Sequence, residues 1–173
     1  MDVLTTKDGK EVWFHQIERP FVFKPPFPGH RYVAIVFSND ETVTDSERQS
    51  VTHALFTSGC RYGIFTGHRC LGWESALDTA CIESDPDHKP SDEAFTMTTS
   101  HPIQSVEDVI RFGLTCTGFD EHDFDRCLIL FIGPRAGLRA EVEAAIRSVW
   151  HEGRQKGPAR NRRSRAGNRR TRV

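Results

Sequence analysis

Four short apolar runs punctuate the middle of this chain: Tyr32-Val33-Ala34-Ile35-Val36-Phe37, Tyr62-Gly63-Ile64-Phe65, Ala94-Phe95-Thr96-Met97-Thr98 and Cys127-Leu128-Ile129-Leu130-Phe131-Ile132. Two of them are continuous and β-branched, the pattern of a strand covered on both faces in a parallel sheet. Each run is followed by a stretch of helical periodicity. Thr44-Asp45-Ser46-Glu47 has the spacing of a capping box and opens a helix to about Ser58, stopped by Gly59. Trp73, Ala76, Leu77, Ala80 and Cys81 form a second stripe, Val106, Val109, Ile110, Gly113 and Leu114 a third, and Leu138, Val142, Ala145, Ile146 and Val149 a fourth. Strand then helix, four times over with short connections, is the signature of right-handed βαβ units. The expected fold class is α/β: one three-layer domain at residues 31–152, with a mainly parallel four-stranded sheet and helices on both faces.

The two ends read differently. Residues 1–30 carry Asp8-Gly9, which could turn a hairpin, and then Pro20, Pro25, Pro26 and Pro28, which break regular structure. With Trp13, Phe14, Phe21, Phe23 and Phe27 the segment is too apolar to float free, and it is expected to be an arm lying across the domain. Residues 153–173 are expected to be a disordered arginine-rich tail, having nothing to bury. From Arg154 to Val173 nine of the chain's 23 basic residues occur without a single Asp or Glu, leaving 14 basic residues against all 24 acidic ones in the body. The formal charge of −1 thus conceals an acidic body and a basic arm.

Five cysteines, odd in number and without CxxC spacing, read as reduced thiols of a cytoplasmic protein. No segment has the form of a signal peptide or a membrane span, so no membrane is expected among its partners.

In an open parallel sheet ligands gather where the strands end, because loops and helix amino termini converge there. Asn39 and Asp40 follow the first strand, His68 and Cys70 the second, Thr99 and His101 close the third, and Arg135 follows the fourth. As a catalytic set, Cys70, His68, His101 and Asp40 would supply a thiol, two imidazoles and a carboxylate, with an adjacent base needed to hold the thiolate. Asn39, Thr99 and Arg135 are the candidate ligand-binding residues. The competing account is that loops are polar because they are wet. The metal-ligand types are present but not in a dense metal motif. Gly67 to Gly72 has the glycine interval of a P-loop, yet Trp73-Glu74 stands where Lys and Ser or Thr must be, and no GxGxxG follows the first strand. No cofactor is implied. Glu74 and Asp78, four apart on one helix face, could bind a cation or work as acid and base, although an acidic solvated face is the favoured account in so acidic a body.

Through Trp73-Glu74-Ser75-Ala76-Leu77-Asp78, Phe95-Thr96-Met97-Thr98-Thr99-Ser100-His101 and Ser58-Gly59-Cys60, the chain resembles a family of small uncharacterised bacterial proteins catalogued as a domain of unknown function. The likeness spans about Arg31 to Gly133. It implies a bacterial or phage source and a Rossmann-like fold, and it brings no mechanism. The expected function is a binding or regulatory module holding a small anionic ligand or a protein partner, with residues 154–173 tethering it to nucleic acid or another polyanion. The rival is a small hydrolase or transferase working through the Cys, His and Asp residues at the strand ends.

Overall fold

The computed structural model of the chain describes residues 2–5, 9–24, 26–119 and 122–155, with side chains to 151. Its strands are β1 (Asp2–Thr5), β2 (Glu11–Ile17), β3 (Tyr32–Ser38), β4 (Cys60–Gly67), β5 (Met97–His101) and β6 (Arg126–Ile132); its helices are α1 (Asp45–Thr57), α2 (Cys70–Ile82), α3 (Val106–Thr115) and α4 (Leu138–Gln155). The strands form one sheet in the order β1-β2-β6-β3-β4-β5, parallel throughout except for the antiparallel β1–β2 pair.

The sheet has six strands rather than four, because the amino-terminal segment joins it. β2 runs beside β6 in register from Glu11 opposite Arg126 to Ile17 opposite Ile132. The two residues of the expected Asp8-Gly9 turn straddle the limit of the described residues, with Asp8 outside them. The stretch after β2 does cover the sheet: Phe21 and Phe27 bury themselves with Ile17, Leu128 and Leu130 on the α1–α2 face. Trp13 meets Phe27 edge-on at 5.4 Å between ring centroids.

β3 and β6 lie at the centre, which explains their unbroken apolar sequences. Alternate β3 residues serve two cores: Val33, Ile35 and Phe37 pack with α3 and α4, and Tyr32, Ala34 and Val36 with α1 and α2. Two-faced coverage leaves no position for a polar side chain until Ser38. β5 is the outer strand and only half-buried along its length, so its boundaries carry little apolar contrast. It runs over Met97–His101, three residues beyond the segment Ala94–Thr98 that the sequence suggests. α1 opens with the expected capping box, Thr44 and Glu47 satisfying each other's amides. α4 reaches Gln155, past the boundary expected at residue 152, and residues 156–173 of the basic tail lie outside the described residues. All five cysteines are unpaired. Among the described residues no helix is long and apolar enough to cross a membrane.

Candidate functional site

Parallel pairing brings the carboxyl ends of the strands to one rim. Ser38 stands opposite both Gly67 and Ile132, and Thr66 opposite His101. Adjacent β3 and β6 then send their chains to opposite faces, β3 into α1 and β6 into α4. Such a reversal opens a crevice, since neither connection crosses the gap between the two strand tips. A cleft of about 630 Å³ occupies that place, with Ser38 and Asn39 from β3, Gly67, His68 and Arg69 from β4, Pro102 beyond β5, and Pro134 and Arg135 beyond β6.

Ser38 forms its floor. The side chain is buried, and its Oγ accepts a hydrogen bond from Trp73 Nε1 at 2.9 Å, tying the floor to α2. Gly67 approaches so closely that a Cβ would collide with the Ser38 carbonyl oxygen, and its φ of +88° is a conformation glycine adopts without strain. Asn39 donates its backbone amide to Ile132 O at 2.8 Å, holding the β3 and β6 tips together, and its Nδ2 to Phe37 O at 3.3 Å, folding the side chain back on β3.

The lining is cationic. It contains His68, Arg69 and Arg135 and no carboxylate. Arg135 reaches Glu141 at 3.5 Å across an exposed pair, which screening leaves weak. Arg69 has no side-chain partner among the described residues, whereas Arg19, Arg48, Arg126 and Arg139 pair with carboxylates, Arg31 bonds His122, and Arg61 bonds backbone carbonyls. Its backbone lies in the left-handed region at φ 51°, uncommon for a side chain with a Cβ. Arg69 also precedes the first turn of α2, which has no side-chain cap and no acidic residue, unlike α1 and α3. The positive end of α2 therefore opens at the cleft without local compensation.

Of the residues singled out by sequence, Asn39, His68 and Arg135 meet at this cleft. The others do not. Asp40 is held aside: its carboxylate accepts from the Thr42 hydroxyl at 2.6 Å and amide at 2.8 Å and from Arg19 at 3.0 Å, and these contacts, Thr42 first, keep it below the usual carboxylate range. Cys70 is seated in the core with Phe65, Trp73 and Leu77 instead of at the cleft. His101 and Thr99 point together toward α3. The imidazole lies 5.0 Å from the Phe112 ring, its Nε2 is 3.3 Å from Thr99 Oγ1, and burial lowers its pKa. The four groups of the expected catalytic set are thus distributed over four places, with only His68 at the cleft. No cluster of three or more His, Cys, Asp or Glu that could hold a metal occurs among the described residues. Ser38 and Arg69 lie in the strand-end stretches but are not among the residues the sequence singles out. A guanidinium between a histidine and a cysteine gives no sign that its backbone turns left-handed.

Fold and cleft together define a doubly wound, mainly parallel α/β domain with its crevice at a reversal of strand order. Residues 13–149 match the family described as a domain of unknown function (DUF7684), and the chain belongs to that family. The match reaches further toward both ends than the likeness read from the motifs, taking in most of β2 and α4. No curated protein and no solved structure matches the chain.

Proposed function

We propose that this protein is a Rossmann-like binding or regulatory module that takes a small anionic ligand in the strand-end cleft. The observation that carries the reading is Arg69, a guanidinium without a carboxylate partner among the described residues, set beside a cleft whose lining has no acid. Arg135 adds positive charge, His68 adds a ring nitrogen able to hydrogen-bond, and the uncapped start of α2 adds amide donors suited to a phosphate or carboxylate. The Arg154–Val173 segment, with nine basic residues and no acidic one, tethers the module to nucleic acid or another polyanion. The hydrolase or transferase alternative rests on a Cys70 nucleophile, and a buried thiol set apart from His68 and His101 lends it no support.

The test is a thermal-shift screen of nucleotides and phosphorylated metabolites on the full chain and on R69A and C70A. A ligand present at 100 times its Kd stabilises the chain by about 2.7 kcal/mol. R69A is expected to lose at least about tenfold in affinity, equivalent to about 1.4 kcal/mol, while C70A retains binding. A panel without any stabilising anion, or an R69A chain that binds as well as the parent, would end the proposal. Deletion of residues 156–173 should abolish salt-sensitive retention on nucleic acid and leave the melting temperature unchanged; retention that survives the deletion would remove the tail from the reading.

A further inference from the structure

At the free edge of the sheet a second cleft, of about 520 Å³, opens between α2, β5 and the segment that precedes β5. It shares no lining residue with the strand-end cleft, and its character is opposite. The walls are largely apolar: Ile82, Phe95 and Met97 line it beside His88 and Thr98, and Ile82 and Phe95 are 46% and 43% exposed. Among these walls stands one carboxylate, Asp78, which accepts a hydrogen bond from Thr98 Oγ1 at 2.6 Å.

Asp78 lacks the cationic partner that several partly covered carboxylates of this chain possess. Asp40, Glu47 and Glu143 each face an arginine, but no cation pairs with Asp78 among the described residues. Burial raises its pKa, the Thr98 bond opposes that rise, and Glu74, one helical turn earlier, adds like-charge repulsion. A half-buried carboxylate of this kind loses hydration without gaining a counter-charge. A cation arriving with an apolar body supplies the missing charge and at the same time covers the exposed phenyl and aliphatic surface. An aromatic wall favours the cation further, through attraction to the ring face.

We propose that the α2–β5 cleft binds a small organic cation, an ammonium carried on an aromatic or branched aliphatic body, with its charge on Asp78 and its body against Ile82, Phe95 and Met97. Neutral and anionic molecules of the same shape are disfavoured by the charge requirement. Ligands of opposite sign therefore occupy the two clefts, and this site stands or falls independently of the anion site.

The probe is phenethylammonium, compared with its neutral isostere 2-phenylethanol and with anionic 3-phenylpropionate, titrated into the full chain while amide shifts are followed by nuclear magnetic resonance. Saturable binding of the ammonium with shifts centred on Met97 and Thr98 is expected, and the alcohol should bind at least about tenfold more weakly. D78N, which keeps an acceptor for Thr98, should weaken the ammonium by about tenfold or more, and R69A should not change it. F95A, altering a surface ring, gives an independent loss that does not depend on Asp78. Absence of saturable binding, equal affinity for ammonium and alcohol, or unchanged affinity in a folded D78N chain would each overturn the proposal; if D78N does not fold, the ammonium-to-alcohol ratio on the parent chain decides alone.

Discussion

The hydrogen bond from Trp73 Nε1 to Ser38 Oγ joins the floor of the strand-end cleft to the core of the α1–α2 face, and its energetic coupling can be worked out from the structure. Both side chains are about 1% exposed and the bond is 2.9 Å long. S38A leaves a buried indole N–H without an acceptor, at a cost of about 1–3 kcal/mol. W73F deletes the donor and also leaves a void beside Phe65, whose ring stacks on Trp73 at 6.5 Å, while weakening the contact with the Arg48 guanidinium 5.9 Å away. That change costs about 2–4 kcal/mol. In the double variant no polar group is left unpaired, so the loss should fall short of the sum by about 1–2 kcal/mol. Urea unfolding of the parent, the two single variants and the double variant, fitted with a common m-value, reads this coupling directly. In a thermal scan, a 2 kcal/mol loss should lower Tm by about 4–8 °C for a chain of this size. Single losses that add to within about 0.3 kcal/mol, or a neutral S38A, would show that the bond does not organise the cleft floor.

Two more variants separate backbone strain from collision. At Gly137, φ is +77° and a Cβ would meet open space, so G137A should cost only about 1–2 kcal/mol of conformational strain; at Gly67 the Cβ would also strike the Ser38 carbonyl, and G67A should cost distinctly more. Equal losses in denaturant titrations would contradict the cleft geometry. Acid stability should depend on Glu47, whose contact with Arg19, followed by its bonds from Thr44, lowers its pKa from 4.5 to about 2. Because the folded value lies below the unfolded one, this contribution is fully present above pH 4.5 and disappears as pH falls toward about 2. E47Q should flatten the stability profile across that interval, more so at low salt, and a slope identical to the parent's would refute the assignment.

The four strand–helix units were legible because their signals are local. An unbroken apolar run such as Cys127–Ile132 and a stripe such as Val106–Leu114 report which faces are buried, and alternation with short connections restricts the direction of the strands. The β1–β2 pair was not legible as part of the sheet. Glu11-Val12-Trp13-Phe14-His15-Gln16-Ile17 alternates like any half-covered strand, and its parallel partner lies more than a hundred residues away in β6. β5 was placed three residues early because, at a half-exposed edge, no change in burial marks where pairing begins.

For the cleft, the same division holds. Residue order and strand direction sufficed to place Asn39, His68 and Arg135 at one rim. Which way the neighbouring side chains turn was decided by backbone dihedrals and distant contacts: the left-handed Arg69 starts α2 at once and carries Cys70 into the core, Arg19 and Thr42 draw Asp40 aside, and the pleat of β5 aims His101 at Phe112. Hydrophobic periodicity, a property of adjacent residues, determined the layers of this protein from its sequence. Strand order, the open guanidinium and the uncompensated Asp78 arise from groups far apart in the chain, and only their packing together could decide them.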